Sequence, residues 1–323
     1  MPVQPRFSIL MPAYNRVDYI GETIACILAQ DLASFELIIV DDGSTDGTSD
    51  VIADYAARDP RIRVHTQPNS GRPSTGRNIG IEMARGDHVT FIDSDDLHTP
   101  DRLASIDEAL RRHGDGQVVF HNLGFVDAQG QTLPGTYLGN AAFTTVAGRH
   151  LRPLEADCYA LRPTYWEFAA LCYAGLHTCS VSVPRAVLLD HALRFDTRYK
   201  IVDDTDMWLR LTRLCPVLFI DRILGHYRLH PGGISKNPSR LLEESIMLHE
   251  HHLARLEPVI DDTFRRAYRA KIARYCAELG YARRVHKEFD AAAEAYAKAL
   301  RLAPDVKTGM ALVKTLCRLP VRA

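Results

Sequence analysis

The sequence predicts an α/β protein, a mostly parallel sheet flanked by helices, followed by an all-helical tail. Two observations carry this. Short apolar runs alternate with helical spacing over the first hundred residues, which is the pattern of a parallel sheet covered on both faces. From about Leu241, Leu, Ala, Arg and Glu dominate and Gly and Pro become scarce. The division expected is a sheet domain over 1–238 and a helical extension over 239–323.

Phe7 to Met11 is a buried strand ending at Pro12, and Asp18 to Gln30 places Ile20, Ile24, Ile27 and Leu28 at helical spacing. Glu36 to Val40 is a second strand that stops at the polar turn Asp41-Asp42-Gly43-Ser44-Thr45-Asp46-Gly47. A helix over Ser49 to Arg58 and a strand at Ile62-Arg63-Val64 follow. Gly71 to Arg77 reads as a Gly- and Pro-containing loop before a helix over Asn78 to Arg85. Val89 to Ile92 is a fourth strand, ending at Asp93-Ser94-Asp95-Asp96. Beyond it, Val118 to Phe120 and Gly124 to Val126 read as two strands, Ser180 to Val183 and Val217 to Ile220 as two more, and Asp204 to Leu214 as a helix. In the tail, Leu279-Gly280-Tyr281 with Phe289, Ala292, Tyr296, Ala299, Leu300 and Pro304 resembles one tetratricopeptide unit. A single such unit cannot bury its own face and is expected to pack on neighbouring helices.

Bulk properties narrow the function. The 323 residues are 46% hydrophobic and 24% charged, enough for a sizeable core. The net charge of -1 gives no mark of a nucleic-acid binder. Seven scattered cysteines without a C-x-x-C pair read as reduced thiols. Neither a secretory pattern nor an apolar run of about 20 residues stands in the sequence, so a cytoplasmic protein is expected, with the inner face of the cell membrane as a peripheral site.

Three polar clusters fall at strand ends, where ligands bind in parallel sheets. Asp93-Ser94-Asp95-Asp96 offers the carboxylate oxygens preferred by Mg²⁺ and Mn²⁺; a solvated acidic turn would look the same. Asp41 or Asp42 could accept from a base or ribose, while Ser44, Thr45 or Asp46 caps the next helix. Gly71 to Asn78 offers glycines for close approach and the Arg77 fork for phosphate oxygens; a plain surface loop is the alternative.

These clusters, in this order after Met11-Pro12-Ala13-Tyr14-Asn15, resemble the family 2 glycosyltransferases, whose fold is the Rossmann-like GT-A fold. The resemblance runs through Val40-Asp41-Asp42-Gly43-Ser44, Gly76-Arg77-Asn78 and Phe91-Ile92-Asp93-Ser94-Asp95-Asp96. It resumes at Asp203-Asp204-Thr205-Asp206-Met207-Trp208 and at Tyr227-Arg228-Leu229-His230 with Ser235. It implies an inverting transfer of a sugar from a nucleoside-diphosphate sugar, commonly a UDP-sugar, to a glycan or polyprenyl-linked acceptor, as in cell-surface polysaccharide synthesis.

It also implies roles. Pro12, Ala13, Tyr14 and Asn15 would line the nucleotide pocket and Asp41 or Asp42 would hold base or ribose. Arg77, Asn78, Asp93, Ser94, Asp203, Arg228 and Ser235 would complete the nucleotide-sugar site. Asp95 and His230 would hold Mg²⁺ or Mn²⁺, and Asp204 would be the catalytic base. Asp203 departs from the family, which usually has Glu there. Two other classes remain open on the residues alone, a metal-dependent phosphohydrolase or nucleotidyltransferase and a helical scaffold. Pro12-Ala13-Tyr14-Asn15 after the first strand, in place of paired aspartates, argues against the hydrolase.

His249, His251 and His252 are expected on a solvated helix face. The basic, amphipathic segment with Lys307, Lys314, Arg318 and Arg322 is expected to pack on the preceding helices, with contact to an anionic membrane as the second reading.

Overall fold

The computed structural model describes residues 4–139, 142–172, 175–230, 232 and 237–319. The first half alternates strand and helix: β1 (Phe7–Ala13), α1 (Ile20–Leu28), β2 (Phe35–Asp41), α2 (Thr48–Arg58), β3 (Ile62–Thr66), α3 (Pro73–Met83) and β4 (His88–Phe91). Then come β5 (Leu97–His98), α4 (Arg102–His113), β6 (Val118–Val126), β7 (Thr132–Thr136), α5 (Ala142–Val146), β8 (Leu151–Pro153), β9 (Cys158–Leu161) and α6 (Tyr165–Leu171). The sheet region closes with β10 (Val181–Pro184), α7 (Arg185–Asp190), α8 (Asp203–Leu211) and β11 (Val217–Arg228). Four helices end the chain: α9 (Pro238–Leu256), α10 (Asp262–Val285), α11 (Phe289–Leu302) and α12 (Val306–Leu316).

One sheet has the order β3-β2-β1-β4-β10-β6-β11-β9-β8, with β5 beside β11 and β7 beside β6. β3, β2, β1 and β4 run parallel, as do β6 and β11. β10 enters antiparallel between β4 and β6. Every residue of β2 and of β4 is buried, as expected of strands covered on both faces, and buried Glu36 is paired with Ser8 Oγ and Arg63. Ile9, Met11, Ile24, Ile27, Leu37, Ile39 and Leu103 belong to one apolar core that fixes β1, β2, α1 and α4.

The sequence and the structure part company at four places. α3 begins at Pro73, not Asn78. Proline at the first helical position costs no hydrogen bond, so the segment expected as a loop is the first turn of a helix. Gly76 is there for packing, since a Cβ on it would come 3.0 Å from Pro12 Cβ. The two strands expected around His121 are one nine-residue strand, β6, held on both edges by β10 and β11. β11 runs on to Arg228 across two register shifts, past polar Asp221 and Arg222. The histidines expected on a solvated face are largely inside: His249 is 3% and His252 6% exposed. His249 Nδ1 lies 2.9 Å from the Tyr268 hydroxyl, and the ring stacks on Tyr275 at 5.6 Å. A buried imidazole with a hydrogen-bond partner is an ordinary core residue.

The chain divides into two compact units. One comprises residues 1–169 with 174–232, and the other 170–173 with 233–323. All the strands lie in the first; α9 to α12 lie in the second.

Candidate active site

The strand ends of β1, β2 and β3 are tied before any ligand is considered. Asp42 N donates to Ala13 O (2.8 Å) and Gln67 N to Asp41 O (3.0 Å). Gly43 turns there with φ +73°, and a Cβ on it would meet Asn69 N at 2.9 Å, so only glycine fits. Asp41 is 1% exposed and accepts from Ser44 N (3.0 Å) and Ser49 Oγ. Asp42 is 7% exposed and accepts from Gln67 Nε2, Ser70 N and Ser70 Oγ. Asp42 is the less buried of the two, so it is the one that a donor from outside reaches more readily. Asn15 serves this turn: its Oδ1 accepts from Thr45 N (2.8 Å) and its N–H donates to Ser44 Oγ (3.1 Å). Tyr14 is exposed.

The acidic loop after β4 is fixed from beneath. Thr23 Oγ1 on α1 donates to the carbonyls of Ser94 (3.3 Å) and Asp96 (3.0 Å). Ser94 itself is buried, and the loop's contribution to the cleft comes from Asp93 and Asp95. Asp96 turns inward and is 0% exposed, accepting from Arg228 N (2.9 Å) and the Cys179 thiol (2.7 Å). Burial, with Asp95 and Asp93 nearby, pushes its carboxyl well above the usual range.

Two clusters rise from this base. In the first, Arg77 donates to Asp203 Oδ2 (2.8 Å) and Asp93 Oδ1 (2.7 Å), joining α3, α8 and the end of β4. Its guanidinium lies over Phe195, 5.4 Å from the centroid. Phe195, Phe91 and Trp208 pack edge-on at 5.4 to 5.9 Å and hold the ends of β4 and α8 together. Burial would raise Asp93, but Arg77 holds it below its ordinary value. Burial, with Asp204 and Asp93 as neighbours, pushes Asp203 up to about 7 against the pull of Arg77. In the second cluster, Asp95 Oδ2 accepts from Arg16 Nε (2.9 Å) and lies 3.0 Å from His230 Nε2, whose ring packs on Tyr19 at 4.9 Å.

Asp204 opens α8. Its Oδ1 accepts from Thr205 N (2.6 Å) and its Oδ2 lies 3.3 Å from Thr178 Oγ1. Beside Thr178 stands His177, between the rings of Tyr137 (4.8 Å) and Tyr227 (5.0 Å), with Nδ1 accepting from Cys179 N (3.2 Å). Burial lowers the His177 pKa while Asp204, Asp93 and Asp95 oppose that. The acids from residues 93, 95 and 204 therefore act on one imidazole.

Three expected nucleotide-sugar contacts have other work in this structure. Arg77 is 5% exposed with both arms of its fork on carboxylates, so it organises acids instead of meeting phosphate. Asn78 is spent on Phe195, donating to its carbonyl (2.9 Å) and accepting from its N–H (2.8 Å). Arg228, 2% exposed, donates to Asp95 O (2.7 Å) and Glu22 Oε2 (2.7 Å) and lies over Tyr19 at 5.2 Å. It clamps the acidic loop. Ser235 lies outside the described residues.

The residues fit a hard dication. Asp95 Oδ2 and His230 Nε2 meet at 3.0 Å and offer the carboxylate oxygen and imidazole nitrogen that would hold a divalent ion. His230 offers Nε2 once its proton sits on Nδ1. Among the described residues, Asp96, His177 and Cys179 also bring three ligand-type atoms within 4.8 Å. The Cys179 thiol already donates to Asp96 and the His177 Nδ1 already accepts from Cys179 N, while burial pushes the thiol well up, away from the thiolate that a metal takes.

Arg16, His177 and Thr178 were not singled out from the sequence. Arg16 follows the Met11–Asn15 motif directly and could have been found there. His177 and Thr178 stand in the least patterned stretch and carry no local signal.

The family model described as glycosyl transferase family 2 matches residues 8–161. Residues 8–161 belong to glycosyl transferase family 2. Asp204 and His230 lie beyond the matched segment.

An uncharacterized glycosyltransferase of Haemophilus influenzae is 37% identical over 131 residues, which is 40% of this chain and 51% of the relative. The uncharacterized glycosyltransferase EpsJ of Bacillus subtilis is 28% identical over 280 residues, 84% of this chain and 70% of EpsJ. The putative teichuronic acid biosynthesis glycosyltransferase TuaG of Bacillus subtilis is 44% identical over 101 residues, 31% of this chain and 40% of TuaG. The chain thus matches about half or less of two of these three relatives.

Among solved structures, S. aureus TarS 1-349 in complex with UDP-GlcNAc superposes with a TM-score of 0.66 at 17% identity, covering 97% of this chain and 88% of that one. The mannosyltransferase PcManGT from Pyrobaculum calidifontis, in complex with GDP-Man and Mn2+, gives 0.55 at 16% identity, covering 98% and 81%. These two likenesses show a shared GT-A-type fold.

Proposed function

We propose that the chain is an inverting glycosyltransferase that moves a sugar from a nucleoside-diphosphate sugar to a hydroxyl of a glycan or lipid-linked acceptor. The observation that carries this is the meeting of Asp95 with His230 at 3.0 Å, 135 positions apart in the chain, and of Arg77 with both Asp93 and Asp203. A capped acidic turn would bring together none of these distant residues.

In this reading Tyr14, Pro12 and Ala13 border the base, and Asp42, less buried than Asp41, receives a base or ribose donor. Asp93 faces ribose or sugar and is held there by Arg77. Asp204 takes the proton from the acceptor hydroxyl as that oxygen attacks the anomeric carbon. The bond from that carbon to the diphosphate oxygen breaks, and the configuration inverts. Arg16, partly exposed and bonded to Asp95, would supply a positive charge to the leaving diphosphate. Asp95 and His230 would hold Mg²⁺ or Mn²⁺, which when bound neutralises charge on the diphosphate.

A UDP-sugar is the favoured donor, supported by the TarS complex with UDP-GlcNAc, and TuaG's description supports a role in cell-surface polysaccharide synthesis. The PcManGT complex with Mn2+ supports a divalent ion. The test is release of nucleoside diphosphate from a panel of nucleotide sugars with glycan and polyprenyl-phosphate acceptors, with and without EDTA. Release from one donor, stopped by EDTA and by Asp204→Asn, is expected. No release from any donor with any acceptor would overturn the proposal.

A further inference from the structure

We propose that α12 docks this protein on an anionic membrane surface, with its apolar side in the bilayer interface. The helix is held at both ends. Asp305 caps it, accepting from Thr308 N (2.8 Å) and Thr308 Oγ1 (2.9 Å). At the other end Arg284 of α10 donates twice to the Leu319 carbonyl, at 3.2 and 2.9 Å. The side bearing Ala311, Leu312 and Thr315 is turned inward, and Thr315 is 1% exposed.

The outward side is apolar. Val306, Met310 and Val313 follow at helical spacing, 77%, 53% and 61% exposed, with Leu316 and Leu319 at 66% and 49%. A helix on a water-soluble body ordinarily presents its polar face to solvent; here the large apolar side chains face out. Their regular spacing makes one continuous stripe, not scattered exposure.

Charge selects the occupant. From Val306 to Ala323 the sequence has Lys307, Lys314, Arg318 and Arg322 and no acidic residue, in a chain whose net charge is -1. Lys307 and Lys314 are seven residues apart and so lie in one row beside the stripe, while Arg318 is 3.9 Å from exposed Asp290. An apolar stripe edged by lysines is suited to an interface where acyl chains meet anionic headgroups, with the lysine stems lying along the boundary. A second copy of the chain would bring this positive face against itself. Among the described residues no helix is long and apolar enough to cross a membrane, so the contact is with the surface. This inference does not rest on the transferase reading.

The test is co-sedimentation of the full chain with vesicles of phosphatidylcholine alone or mixed with phosphatidylglycerol, without donor or acceptor. Binding only to the phosphatidylglycerol vesicles, weakened by salt, is expected. Met310→Glu with Val313→Glu, and separately Lys307→Glu with Lys314→Glu, should each reduce binding about tenfold or more. All four residues lie outside the proposed catalytic machinery, and thermal melts should match the unaltered chain. Equal binding by the unaltered chain and both double variants, or no binding to phosphatidylglycerol vesicles, would overturn the proposal. So would a concentration-dependent dimer lost in Met310→Glu with Val313→Glu and unaffected by vesicles.

Discussion

The Arg77–Asp93–Asp203 cluster and the Arg16–Asp95–His230 cluster use the same kinds of side chain in one site, yet they sit in different surroundings. Arg77 and Asp203 side chains are 5% and 4% exposed, and both arms of the Arg77 fork are taken. Arg16 and Asp95 are 21% and 15% exposed, and Asp95 Oδ2 is shared between Arg16 and His230. Buried charges must keep their partners, because losing one leaves the other uncompensated. Partly solvated charges can exchange partners. The buried Arg77–Asp203 pair therefore fixes Asp93, whose side chain is 31% exposed, while in the second cluster Asp95 is shared between two partners.

The largest expected effect lies between the clusters, at Asp204. Asp204→Asn should lower the transfer rate about 10³-fold or more with an unchanged melting temperature; a rate near that of the unaltered chain would remove the proposed base. Next is Arg77→Met, which strands Asp93 and Asp203. It should cost about 3–5 kcal/mol of stability in urea titrations, and an unchanged midpoint would erase the contrast between the clusters. Asp95→Asn should do the opposite. Its stability should stay within about 1 kcal/mol, while the rate falls about 10²-fold and no longer responds to added Mn²⁺. A large stability loss there would make the two clusters alike.

A fourth expectation concerns the strand beneath both clusters. His88 opens β4 and is 1% exposed, and burial lowers its pKa to about 4 from 6.5. The folded state thus resists a proton that the unfolded chain accepts. The stability this gives is complete above about pH 6.5 and is lost as the pH falls towards 4. Unfolding free energy should drop by about 2 kcal/mol from pH 7 to pH 5 on this account, and His88→Gln should flatten that slope. The smallest effect is at His177. His177→Phe keeps the ring between Tyr137 and Tyr227 but removes the N–H, and should raise KM about tenfold with kcat nearly kept; a changed kcat alone would place His177 in the chemical step.

The sequence by itself determined the alternation of strand and helix, the acidic ends of β2 and β4, and the identity of the residues that define the family. These are local: an apolar run followed by Asp-x-Asp reads the same wherever it occurs, and Asp95 and His230 were expected together before their 3.0 Å approach was seen. What only the tertiary structure decided is which charges are spent. Arg77, Asn78 and Arg228 looked like ligand contacts because their side chains can bind phosphate or sugar. Each is instead held by groups far along the chain, Asp203, the Phe195 backbone and Glu22. Such partners depend on who arrives through folding, and no periodicity records that. The same reason hid His177, whose place beside Asp204 is made by the packing of Tyr137 and Tyr227 around it; α12 packs on α11 as expected, and the structure adds that Val306, Met310 and Val313 stay exposed.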